Sequence, residues 1–166
     1  MADANVLAVL FFGHILSAMG WLGGGILTTF VVGPGLRSLS PSSNLEFTAK
    51  VMPKILRFVQ MMIGSTLLFG VLLYLYLGID PSFGGANTLY AGIGLALVTT
   101  AVVFALTVPS FRKVIKMAQE RLDSGAQGPP PPEMMKYGMR ARQGSLIGVV
   151  LLLVVLAAMI GATLGI

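Results

Sequence analysis

Four long apolar runs, at 6–32, 58–78, 86–108 and 146–166, constrain this chain more than anything else in it. Each reaches the roughly 20 residues that a helix needs to cross a hydrocarbon core. Only 10% of the residues are charged and 55% are hydrophobic, and the mean hydropathy is +0.88. No ordinary soluble domain has that balance. The expected fold is all-α: one polytopic membrane domain over 1–166, a four-transmembrane-helix bundle. The first run is too long for a typical signal-peptide core and has no basic region before it, so we read it as a retained helix.

The eleven Lys and Arg residues orient that bundle. Arg37, Lys50, Lys54 and Arg57 follow the first run. Arg112, Lys113, Lys116, Arg121, Lys136, Arg140 and Arg142 follow the third. Cytoplasmic loops collect cations, so 33–57 and 109–145 are the expected cytoplasmic segments, with N- and C-termini outside. The predicted location is the plasma membrane, with Asp3 and Asp80 the only charges on the outer face. A net charge of +5 then reflects attraction to anionic lipid headgroups, and nucleic acid is not an expected partner. Cysteine is absent, which excludes disulfides, iron–sulfur clusters and thiolate metal sites.

Local signals divide the chain further. Asp3 or Asn5 caps the first helix, and Gly33-Pro34-Gly35 ends it. Ser43-x-x-Glu46 is a capping-box pattern that starts a helix near Asn44, and Pro53 kinks or restarts it. The turn Gly78-Ile-Asp-Pro-Ser-Phe-Gly-Gly makes helices two and three an antiparallel pair, flanked by Tyr74, Tyr76 and Tyr90 as an interfacial belt. Phe111, Val114, Ile115, Ala118 and Leu122 recur at helical spacing opposite a basic face. That stretch extends helix three beyond the membrane, to lie on the leaflet or against a partner subunit. Gly125-Ala-Gln-Gly-Pro-Pro-Pro-Pro is a break and a stiff spacer, and 133–143 a short helix feeding the fourth span.

Small residues mark the packing faces. Gly13, Ser17, Gly20 and Gly24 form one helical stripe, while Gly144 with Gly148 and Gly161 with Gly165 form small-xxx-small pairs. Among them lies His14, the one histidine. An intramembrane histidine is a functional candidate by default. Measured from the middle of its span, it sits roughly 7–8 Å outside the midplane. Leu72, Leu73, Gly92, Gly94, Met159 and Gly161 fall at that same depth on the other helices.

Two readings of that level stand side by side. In one, Gly92, Gly94 and Gly161 leave room for a flat cofactor or a metal. His14 is then a ligand and Met159 the second, a pairing that suits haem iron or copper. In the other, the glycines let helices approach and His14 hydrogen-bonds a backbone carbonyl or Ser17. Trp21, near the middle of its span, either walls that pocket or is buried packing. No carboxylate lies inside any run, and no nucleophile, phosphate-binding loop or zinc motif occurs, so no catalytic residues are assigned. The intramembrane hydroxyls Ser17, Thr28, Thr29, Ser65, Thr66, Thr99 and Thr100 are expected to bond back to their own helices.

The segment His14-Ile-Leu-Ser-Ala-Met-Gly-Trp21-Leu-Gly-Gly-Gly25 resembles the first-helix pattern of the copper-resistance CopD membrane domain, and that of HemJ-type protoporphyrinogen oxidases. Val32-Gly-Pro-Gly-Leu-Arg37 and the basic entry Lys54–Arg57 are similar to the CopD family too. The resemblance covers about the first half of the chain. It implies that His14 is a haem b or copper ligand. The chain lacks the intramembrane lysine of HemJ-type enzymes and the further histidines of CopD regions, so it implies cofactor handling rather than oxidase activity. The expected function is a CopD-like membrane protein handling haem b or copper within a larger complex. The alternative is a non-catalytic accessory subunit of a respiratory, oxidase or monooxygenase-type complex. Other membrane subunits or further copies of the chain are the expected partners.

Overall fold

The computed structural model describes residues 3–78, 81–126 and 128–165. Ile79 and Asp80, on which the outer-turn reading leans, and Gln127 of the spacer lie outside them. All regular elements among the described residues are helical, and four continuous helical stretches are long and apolar enough to cross a membrane. The first joins α1 (Ala4–Ile26), a π turn (Leu27–Val32) and α2 (Gly33–Ser38). The second joins α3 (Pro41–Lys50) and α4 (Met52–Leu77). The third joins α5 (Ala86–Val102), a second π turn (Val103–Thr107) and α6 (Val108–Asp123). The fourth is α7 (Pro132–Leu164).

Packing follows two pairs rather than chain order. α1 lies along α4 and α5 along α7, while α4 and α5 scarcely touch despite the short connection between them. An edge-on contact of Tyr74 and Tyr90 joins them, with ring centroids 6.4 Å apart. The glycines account for the pairing. A Cβ on Gly13 would enter the Phe69 ring at 2.7 Å, and one on Gly20 would meet the Met62 sulfur at 2.6 Å. On the other pair, Gly148 faces Val103, and Gly84 lies against the backbone of Gly165. Close backbone approach is what drives helices together in lipid.

The two pairs meet around Trp21, which is 3% exposed among Ile63, Val103, Val108 and Leu152. Elsewhere the bundle turns large apolar side chains outward, Phe12 and Leu75 at 69% exposure each, as a lipid-facing surface requires. At one end, the Asp3 carboxylate caps α1 through Asn5 N–H, as expected. The Asp3 backbone N–H also donates to the Tyr76 hydroxyl at 2.7 Å, which ties the start of α1 to the end of α4. Since α7 finishes beside Gly84 and Gly85, the start of α1 and the end of α7 both lie at this tyrosine-bearing end.

At the cation-bearing end several expectations change. Pro34 does not end the first helix, and Gly33 is right-handed at φ −58°. The π turn just before it widens the backbone, so the proline ring meets no tight i−4 carbonyl. Pro109 follows the second π turn in the same way. Ser40, not Ser43, caps α3: its Oγ accepts from Ser43 N–H, and Pro41 takes the first helical position. Glu46 pairs instead with Lys50 at 2.6 Å. Pro53 does restart the helix, at the junction of α3 and α4.

The basic extension α6 finds cover for much of its apolar face within the chain. Its apolar face packs on α3 and α7, where Ala118 is fully buried and Ile115 nearly so. Gln119 Nε2 donates to the Ala49 carbonyl at 3.4 Å. Segment 133–143 is no separate helix but the first part of α7, whose 33 residues span about 50 Å at 1.5 Å each. Lys113 closes this end by lying 4.2 Å from the Tyr137 ring centroid and donating to its hydroxyl.

Candidate functional site

His14 is held by the α1–α4 seam. Its ring packs over Gly70, where a Cβ would come within 3.1 Å of Cε1. Nδ1 stands 3.0 Å from the Thr66 carbonyl oxygen. A carbonyl only accepts, so Nδ1 carries the proton and donates. In the neutral ring that leaves Nε2 with its lone pair. Ser17, one turn on, does not bond the imidazole; its hydroxyl donates to the Gly13 carbonyl at 2.6 Å and the His14 carbonyl at 3.1 Å. His14 therefore faces 66–70 of α4, below the Leu72–Leu73 level. Counting each helix from its own midpoint ignores the offset between tilted, unequal helices.

The other residues of that level fall on the α5–α7 seam. Met159 lies over Gly92, with its methyl 3.0 Å and its sulfur 3.6 Å from where a Cβ would be. The gap at Gly92 is thus filled by the thioether itself. Gly94 is exposed, with nothing within 4 Å of its missing Cβ, and Gly161 is half-buried. Trp21 belongs to the aliphatic centre described above. The contacts group Gly92 with Met159 and His14 with Thr66 and Gly70; they assemble no common pocket from the two groups.

Hydroxyls behave as expected, with two exceptions, the first being half-buried Ser65, whose hydroxyl bonds no carbonyl of its helix among the described residues. Thr28, Thr66, Thr99 and Thr100 each donate to the carbonyl four residues back. Thr29 does not: its buried Oγ1 has no partner, and neither does that of Thr107 in the second π turn. Among the described residues no three His, Cys, Asp or Glu side chains gather as a metal would require. Tested against a haem or copper centre, this chain provides one imidazole with a free lone pair. Among the described residues no cluster of His, Cys, Asp or Glu forms around it, and the space at Gly92 is taken by Met159.

Two spaces escaped the sequence reading. An apolar cleft of about 50 Å³ lies between the π turns, lined by Gly24, Thr28, Gln60, Thr107 and Ser145 among others. A basic crevice of about 270 Å³ lies at the cation-bearing end, between α4 and α6. The π turns leave no pattern in hydropathy beyond their following prolines. The crevice had a signal: Arg57 with Gln60, and Arg112 with Lys116 and Gln119, each recur at helical spacing. No family model matches the chain, and no curated protein or solved structure is similar to it.

Proposed function

We propose that this chain is a non-catalytic, structural subunit of a larger plasma-membrane assembly, with His14 a clip between helices. The observation that carries this reading is the Nδ1–H bond to the Thr66 carbonyl, with the ring seated on Gly70. An imidazole so placed satisfies its donor and fills the space a glycine leaves. Gly23, Gly64 and Gly94 support the assembly: each sits inside a helix, is exposed, and has nothing within 4 Å of its missing Cβ. A helical glycine costs about 1 kcal/mol relative to alanine. With no close neighbour in this chain, close approach by another subunit's helix is the physical reason to keep it.

A second reading has its own observation. A backbone carbonyl on Nδ1 is the arrangement that orients a metal-bound imidazole and leaves Nε2 to the metal. On this reading His14 lends one ligand to haem b or copper, and a neighbouring subunit or a second copy completes the site.

One experiment separates them. The protein is purified from membranes in mild detergent, as wild type and His14→Ala, and its absorption spectrum, metal content and co-purifying subunits are measured. The structural reading expects a colourless, metal-free chain in fixed stoichiometry with other membrane subunits, unchanged in composition by His14→Ala. A Soret band or stoichiometric copper that disappears in His14→Ala would overturn it in favour of the second.

A further inference from the structure

The crevice between α4 and α6 joins two helix faces with the same chemistry. Arg57 and Gln60 come from α4; Arg112, Lys116 and Gln119 come from α6. Pro53, Leu56 and Ile115 complete the lining, which contains no carboxylate. Lys116 approaches Glu120 at 3.7 Å, an exposed pair that neutralises little in water. Among the described residues neither Arg57 nor Arg112 stands within 4.0 Å of a carboxylate. The fold has therefore drawn cations of two helices around one space of about 270 Å³. Bringing like charges together is unfavourable unless an anion joins them.

We propose that this crevice binds a phosphate group, and that the phosphate belongs to the headgroup of an anionic lipid. Guanidinium forks match phosphate oxygens in geometry as well as charge, and the two glutamine amides add neutral donors. Depth favours a lipid. Arg57 immediately precedes the second apolar run and Arg112 follows the third by four residues, so the crevice lies at the headgroup level. Leu56 and Gln60 also line the apolar cleft that runs inward between the π turns, which gives an apolar wall next to the charged space. A diffuse basic surface would attract anionic lipids without selecting residues; a crevice selects Arg57 and Arg112. This inference does not depend on the role of His14.

The test is lipid binding to the purified full chain in phosphatidylcholine nanodiscs doped with phosphatidylglycerol, read by native mass spectrometry and by thermal midpoint. Arg57→Gln/Arg112→Gln is compared with Arg140→Gln/Arg142→Gln, which removes equal charge from the same end outside the crevice. Phosphatidylglycerol is expected to bind wild type and raise its midpoint. The first double variant should lose about thirtyfold in affinity, the factor for two cations worth about 1 kcal/mol each, and the second far less. Arg57→Lys/Arg112→Lys keeps the charge and safeguards the test against misfolding; it should fall between. Equal losses in both glutamine variants would overturn the site. Protection by millimolar inorganic phosphate in pure phosphatidylcholine, without any from phosphatidylglycerol, would overturn the lipid as its source.

Discussion

Gly144 of α7 faces Thr107 so closely that a Cβ on the glycine would overlap the Thr107 hydroxyl. The neighbour's ability to move sets the consequence of each such contact. Thr107 is short and β-branched, so Gly144→Ala should destabilise by about 1–3 kcal/mol. Gly85 faces the Ala162 backbone carbonyl, which cannot step aside, so Gly85→Ala should cost more. Gly20 faces the flexible end of Met62 and should cost less. Gly23 and Gly64 meet nothing, and alanine there should leave the isolated chain as stable or up to about 1 kcal/mol more so. Reversible unfolding in mixed micelles gives the order; equal shifts across the series would refute it.

Thr107 allows a second prediction. Its Oγ1 is buried without a hydrogen-bond partner, a state that costs about 1–3 kcal/mol. Thr107→Val removes the orphan group and keeps the branched shape, although its methyl is slightly larger against Gly144. Stability should hold or rise by about 1 kcal/mol. A clear loss in the same unfolding assay would mean that the hydroxyl has a bound partner in the membrane.

How far the sequence announces these features depends on which atoms make the contact. The four crossings were legible because run length alone decides them, and Pro53 restarts a helix through its own ring. Pro34 carries the same ring, yet the π turn before it is a backbone adjustment that side-chain identity does not reveal. The apolar face of α6 was visible as Ile115 and Ala118 at helical spacing, but spacing does not name α3 as the surface that covers it. His14 was singled out by its rarity, whereas its partner is a main-chain oxygen at Thr66 that every residue possesses. Met159 and Gly92 were placed at one level correctly; only packing reveals that one fills the other.

Trp21 is the residue whose truncation should be felt most. It sits where α1, α4, α6, α7 and the second π turn converge, beside Ile63 at 1% exposure. Trp21→Ala should lower stability by about 3–5 kcal/mol, with a smaller loss for Trp21→Phe. As the only tryptophan, it also reports on its own surroundings. Its emission should be blue-shifted in the folded state and move to the red in step with the loss of helix; a red-shifted native spectrum would contradict its burial.

The second π turn and Pro109 should behave as one unit. A π turn holds one residue more than the α-helix it interrupts, and here it spans Ala105, four residues before the proline. Deleting exposed Ala105 alone would restore α geometry and press the proline ring onto the preceding turn, at about 3 kcal/mol or more. With Pro109→Ala in the same chain, the ring is gone and the N–H returns, so the shortened helix can close without strain. Both flanks keep their register in the double change, Thr107 toward Gly144 and Ala118 toward α3. The expected result is near wild-type stability for deletion plus Pro109→Ala and a large loss for deletion alone, measured by unfolding in mixed micelles. Pro109→Ala alone should change little, because contraction without a deletion would rotate α6 by about 100° and expose Ala118. If the two deletions prove equally damaging, the wide turn is held by its neighbours' packing and not by the proline.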